Sequence, residues 1–185
     1  MYKRFDMDRY HRRSIRLPNY DYSQEGAYFI TICTWQRECQ FGEIFGGEMK
    51  LNEYGQVVKD EWMNTINLRP NIGLDEYVIM PNHFHGILFI NDRMDTIQCR
   101  GVSQYAPTNA FRSPSQTIGA IVRGFKSAAT KQINFMRNTQ GAPVWQRNYY
   151  EHVVRNEKEL RSIQEYIINN PLQWDLDENN PVNIK

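Results

Sequence analysis

Along the 185-residue chain the apolar positions recur with two different periods, and the switches between them divide it into elements. Tyr28-Phe29-Ile30-Thr31-Ile32-Cys33-Thr34-Trp35 follows Gly26 and is rich in β-branched and aromatic residues, which predicts a first strand. Next, apolar residues fall at Leu51, Tyr54, Val57, Val58, Trp62 and Ile66. This is helical spacing, with Asn52 placed as a cap and the stripe available to a sheet. Tyr77 to Met80 and Phe84 to Ile90 read as two strands joined tightly at Pro81-Asn82. The stretch from Asn91 to Arg112 is polar, carries Gly101 and Pro107 and keeps no period, which predicts an exposed loop of the kind used as a functional flap. Ser113-Pro114-Ser115-Gln116 reads as a capping box. The helix it opens buries Ile118, Ile121, Val122, Phe125, Ala129 and Ile133 and leaves Arg123, Lys126 and Lys131 outside the stripe. Val144 to Val154 reads as a strand, Asn156-Glu157-Lys158-Glu159 caps a last helix, and Pro171 ends it near Asn170.

The order is strand, helix, strand, strand, helix, strand, with a final helix. It predicts an α+β, ferredoxin-like or RRM-like antiparallel sheet with helices packed on one face, plus a C-terminal helix. Because that sheet also serves RNA-binding modules, the fold alone does not choose between binding and catalysis.

At 41% hydrophobic content the length suits one domain, expected over residues 21–175 between an arm at 1–20 and a tail at 176–185. No apolar stretch approaches the ~20 residues that span a bilayer, and the N-terminal segment is basic and aromatic. A soluble, cytoplasmic protein is expected, and an odd count of three cysteines at unpatterned spacings fits a reducing compartment. The net charge of +1 argues against bulk coating of nucleic acid. Its distribution is uneven: Lys3, Arg4, Arg9, Arg12, Arg13 and Arg16 face only Asp6 and Asp8 in the first sixteen residues. That arm is either solvated or a phosphate grip, while the acidic stretch of Asp175, Asp177 and Glu178 reads as solvating.

The chemistry concentrates in His83-Phe84-His85, two of the four histidines. Alternate residues of a strand face the same way, so this triplet aims both imidazoles to one side and Phe84 into the core. On the last helix Tyr166 and Asn170 are four apart on the shoulder of the stripe formed by Leu160, Ile163 and Ile167. Two imidazoles and one amide oxygen form an incomplete shell that suits Mn²⁺ or Mg²⁺ better than a closed zinc site. Tyr149 and Tyr150 compete with Tyr166 as nucleophiles, and the pairing with Asn170 is what ranks Tyr166 first. His152, on the predicted strand, reads as structural.

At these residues the chain resembles the HUH single-tyrosine transposases, and more narrowly their REP-associated tyrosine transposase branch. The likeness rests on Met80-Pro81-Asn82-His83-Phe84-His85-Gly86, supported by Arg12-Arg13-Ser14-Ile15-Arg16-Leu17 with Asp21-Tyr22 and Gly26-Ala27-Tyr28-Phe29. It continues through Gly124-Phe125-Lys126-Ser127, Val144-Trp145-Gln146-Arg147 to His152, and Glu165-Tyr166-Ile167-Ile168-Asn169-Asn170-Pro171. The resemblance implies a divalent-metal-dependent endonuclease and strand transferase acting on single-stranded DNA at palindromic hairpins. In that role His83, His85 and Asn170 hold Mg²⁺ or Mn²⁺, and Tyr166 attacks the scissile phosphate and stays joined to the 5′-phosphate. Beside this, the charge pattern makes Arg12, Arg13 and Arg16 of the arm, with Arg123 and Lys126 outside the helix stripe, the candidate contacts to nucleic acid. The resemblance also implies a protein of the bacterial cytoplasm, nucleoid-associated when bound to DNA, either monomeric or a homodimer whose tyrosine helix serves the partner's site. Two readings compete: a non-catalytic module that stacks bases on aromatic side chains, and a phosphoesterase with bound water as nucleophile.

Overall fold

The computed structural model describes residues 21–91 and 117–183. Arg12, Arg13 and Arg16, all but the first residue of the loop expected from Asn91 to Arg112, and the capping box at 113–116 lie outside the described residues. The elements are β1 (Gly26–Cys33), β2 (Gly42–Phe45), β3 (Glu48–Leu51), α1 (Glu53–Leu68), β4 (Ile72–Ile79), β5 (His83–Ile90), α2 (Ile118–Met136), β6 (Tyr150–Val154) and α3 (Glu157–Asn169). A 3-10 helix at Pro171–Leu176 follows α3.

Four strands form one sheet in the order β4-β5-β1-β6, with every neighbouring pair antiparallel. This is the ferredoxin-like arrangement that the element order predicts. β4 and β5 are joined as expected: Met80 N–H donates to the His83 carbonyl at 2.8 Å and leaves Pro81-Asn82 as a two-residue loop. β4 runs back to Ile72, further than the sequence pattern suggests, because a register shift between Leu74 and Tyr77 interrupts the alternation.

Alternation along β1 and β5 sends Tyr28, Ile30, Ile32, Phe84, Leu88 and Ile90 to one face of the sheet, where Val58 and Trp62 of α1 and the expected stripe of α2 bury them. Gly86 belongs to that face. A Cβ there would fall 2.7 Å from Phe84 Cζ and 2.9 Å from Trp62 Cζ2, so the missing side chain lets the indole lie against the strand. The other face carries Phe29, Thr31, Cys33, His83 and His85, and α3 approaches it through Gln164, whose amide donates to Asp75 Oδ2 of β4 at 2.7 Å.

Local capping decides the helix starts. Asn52 Oδ1 accepts from the N–H groups of Tyr54 and Gly55, as its position predicts. α2, as described, starts at Ile118 with Thr117 Oγ1 accepting from Ala120 N–H. At α3, Asn156 Oδ1 accepts from Glu159 N–H while Glu159 Oε2 accepts from Arg155 N–H. Pro171 ends α3 but takes the first position of the next helical turn, where its missing N–H costs nothing.

Two elements differ from the sequence expectation. The β2–β3 hairpin was not anticipated, although Gly46-Gly47, at φ 60° and 78°, is the kind of pair that a tight mirror-image turn requires. The strand expected over Val144 to Val154 is broken: Trp145 makes a lone bridge to Thr34, and β6 starts only at Tyr150. Trp145 buries its ring against Phe41 at 5.0 Å and Phe125 at 5.9 Å, and the polar run Gln146-Arg147-Asn148 then offers no alternation to extend a ladder.

Candidate active site

His83 and His85 share the sheet face opposite Phe84, whose ring packs on Trp62 at 4.7 Å. Both imidazoles are buried, with centroids 4.6 Å apart. Each ring is held at Nδ1. His83 Nδ1 lies 2.9 Å from Asn82 Oδ1, and His85 Nδ1 lies 2.8 Å from Oγ1 of Thr31, the residue directly opposite it on β1.

The Nε2 atoms face the space where α3 meets the sheet. Nε2 of His85 is 3.2 Å from the Tyr166 hydroxyl. Nε2 of His83 and Oδ1 of Asn170 are buried with no hydrogen-bond partner. An unpaired buried polar atom costs about 1–3 kcal/mol, so two together mark a place built for something else. The amide oxygen carries lone pairs, as does Nε2 when the ring hydrogen sits on Nδ1, and a cation placed between them would satisfy both.

A fourth group was not anticipated. Asp177 places Oδ2 3.7 Å from His83 Nε2, with its side chain only 6% exposed. The ligating atoms of His83, His85 and Asp177 all lie within 4.8 Å of one another. The solvating role expected for this acidic stretch therefore fails at Asp177. The reason is the 3-10 turn, which carries the chain back beneath the histidines, where Asn82 Nδ2 donates to Asn179 O at 2.7 Å and Arg37 Nη1 to Glu178 O at 3.1 Å. Nothing local in the sequence distinguishes Asp177 from its acidic neighbours.

The electrostatics agree with a cation site. Burial pushes His83 down to about 4, against the opposing pulls of the Asp177 charge and the Asn170 amide. Burial and the neighbouring His83 hold His85 well below the usual histidine range. Neutral imidazoles offer lone pairs at neutral pH. For Tyr166, burial and then the Asp177 charge raise the phenol's pKa, while the Asn170 amide lowers it. Positive charge among these groups would favour its ionisation. Two imidazoles, an amide oxygen and a carboxylate form a mixed nitrogen–oxygen set suited to an open divalent site.

The remaining candidates fall elsewhere. Tyr149 donates its hydroxyl to Glu151 at 2.6 Å, and Tyr150 packs edge-on against Phe29 at 6.3 Å. His152 pairs with Glu159 at 2.7 Å and ties β6 to the start of α3. Arg123 is exposed on α2, whereas Lys126 is partly buried and donates to the carbonyls of Gln146 at 2.6 Å and Arg147 at 3.2 Å. Arg123, Lys126, Lys131 and Arg147 line a groove of about 1440 Å³ along α2, on the face of the sheet away from the histidines.

No protein-family model matches the chain. An uncharacterized protein of Haemophilus influenzae is 46% identical over 170 residues, covering 91% of this chain and 93% of the relative. A candidate REP-associated tyrosine transposase of the same species is 23% identical over 161 residues, covering 83% of this chain and 74% of its own length. Among solved structures, a REP-associated tyrosine transposase bound to a REP hairpin matches with a TM-score of 0.55 and 20% identity, over 86% of this chain and 74% of that one. The shared fold includes the four-stranded antiparallel sheet and the C-terminal helix. No helix among the described residues is long and apolar enough to cross a membrane.

Proposed function

For a chain that belongs to one family with the 46% identical Haemophilus influenzae protein and is similar in sequence and fold to REP-associated tyrosine transposases, we propose a metal-dependent endonuclease and strand transferase acting on single-stranded DNA at hairpins. The observation that carries this reading is the Tyr166 hydroxyl, half-exposed and 3.2 Å from His85, beside the unpaired Nε2 of His83 and Oδ1 of Asn170. A nucleophile is thus held next to an open set of cation ligands.

His83, His85 and Asn170 would hold Mg²⁺ or Mn²⁺, with the Asp177 carboxylate as a further ligand or counter-charge. A divalent cation supplies positive charge and Lewis acidity where a phosphate oxygen must be stabilised. The phenolic oxygen of Tyr166 gives up its proton and forms a bond to phosphorus as the bond to the 3′-oxygen breaks, and that oxygen takes up a proton to leave a 3′-hydroxyl. The product is a 5′-phosphotyrosine. Because the phosphodiester energy is kept, a 3′-hydroxyl can reverse the step and join strands without ATP.

Tyr166 and His85 meet within one chain at hydrogen-bond distance, which supports a tyrosine acting in cis. Arg12, Arg13, Arg16 and Arg123 are the expected phosphate contacts. Lys126 is assigned instead to holding the 146–147 segment. Such an enzyme works on chromosomal DNA, in the nucleoid of a bacterial cytoplasm. Tyr166→Phe tests the reading: with Mn²⁺ present it should bind hairpin DNA as the parent does and lose nicking. Retained nicking would assign the attack to water.

A further inference from the structure

Asn82 is fully buried in the loop between β4 and β5 and spends every polar atom of its side chain. Its Nδ2 donates to the Arg37 carbonyl at 2.9 Å and to the Asn179 carbonyl at 2.7 Å, and its Oδ1 lies 2.9 Å from His83 Nδ1. A backbone carbonyl can only accept, so two of them together fix which end of the amide is NH₂. Turning the amide over would set its oxygen against both carbonyls and lose both hydrogen bonds. The oxygen therefore faces the imidazole. An amide oxygen also can only accept, so the hydrogen in the His83 contact belongs to Nδ1.

We propose that Asn82 is a positioning residue: its doubly anchored amide locks His83 as the Nδ1–H tautomer and so aims the free lone pair of Nε2 into the site. The consequence for cation binding rests on the metal reading above; the tautomer assignment does not. Nε2 is the atom the arrangement leaves unpaired, 3.7 Å from Asp177 Oδ2. A ligating histidine is commonly held through its other ring nitrogen in this way, and loss of the holding partner costs about 10–100-fold in metal affinity.

The neighbouring histidine shows why Asn82 is decisive. His85 Nδ1 meets the hydroxyl of Thr31, and its Nε2 meets the hydroxyl of Tyr166. A hydroxyl can donate or accept, so neither contact dictates the His85 tautomer. At His83, unlike His85, a chain of one-way groups, from two carbonyls through an amide to the ring, leaves a single solution.

The test reads the tautomer directly in the metal-free, full-length chain. Long-range ¹H–¹⁵N correlation near neutral pH distinguishes protonated from bare ring nitrogens, with the His83 signals assigned by their loss in His83→Gln. The expected result is hydrogen on Nδ1 and a bare Nε2; hydrogen on Nε2 would overturn the proposal. Asn82→Ala should then release the ring into a tautomer mixture and weaken Mn²⁺ binding by about 10–100-fold. An unchanged tautomer and unchanged Mn²⁺ affinity in a folded Asn82→Ala protein would overturn it as well. The two readings fail separately: Nδ1–H with no Mn²⁺ binding keeps the role of Asn82 and removes the metal centre, and Nε2–H with Mn²⁺-dependent nicking does the reverse.

Discussion

The Tyr166 hydroxyl and Nε2 of His85 lie 3.2 Å apart although 81 residues separate them in the chain. The contact joins the later part of α3 to the start of β5, and neither element is placed by the other's sequence. Phe29 braces both partners: its ring stacks on His85 at 5.5 Å and meets Tyr166 edge-on at 6.2 Å. Aromatic pairs of this geometry each add about 0.5–1.5 kcal/mol beyond burial. The nucleophile candidate is thus held by packing as well as by its hydrogen bond.

Asp177 gives the first prediction. If its carboxylate shares the cation, Asp177→Asn should weaken Mn²⁺ binding by about 10–100-fold in titration calorimetry. An unchanged affinity would return this residue to the solvating role that its sequence context suggests.

Gly86 gives the second. In Gly86→Ala the added methyl meets Phe84 and Trp62 at under 3 Å, and both rings are locked in the core. Overpacking of this kind costs about 1–3 kcal/mol, to be read as a lower denaturant midpoint. A variant as stable as the parent would show that the indole is not held against the strand.

The sheet was legible because its strands alternate strongly and its helices carry clear stripes and caps. The histidine pair was legible for the same reason, since period two alone aligns His83 with His85. Tyr166 and Asn170 could be paired from helical spacing, but their approach to the histidines depends on how α3 lies over the sheet, which no local pattern states. Asp177 and Asn82 were missed because their roles arise from tertiary hydrogen bonds: the backbone of Asn179 and of Arg37 meets the Asn82 amide only in the folded chain. The broken strand before β6 was missed because Trp145 reads equally well as strand or core.

Two basic residues on α2 should behave differently. Arg123 is exposed, so Arg123→Ala should lower the salt slope of hairpin binding by about 0.7–0.9 if it grips one phosphate. Neutralising Arg12, Arg13 and Arg16 should lower the slope by the same amount for every phosphate those side chains neutralise. Lys126→Met should leave the slope alone and reduce stability by about 1 kcal/mol, because the carbonyls of Gln146 and Arg147 lose their donor. Equal effects of Arg123→Ala and Lys126→Met on the slope would contradict the different roles assigned to them.

The proposed reaction turns on whether Tyr166 itself becomes joined to DNA. Peptide mapping by mass spectrometry answers this on the covalent adduct formed with Mn²⁺ and hairpin DNA labelled separately on each side of the nick. The expected product is a single modified peptide carrying Tyr166, linked to the 5′-phosphate of the downstream strand, with no adduct from Tyr166→Phe. A modification on Tyr149 or Tyr150, capture of the upstream strand, or nicking with no covalent species would contradict it.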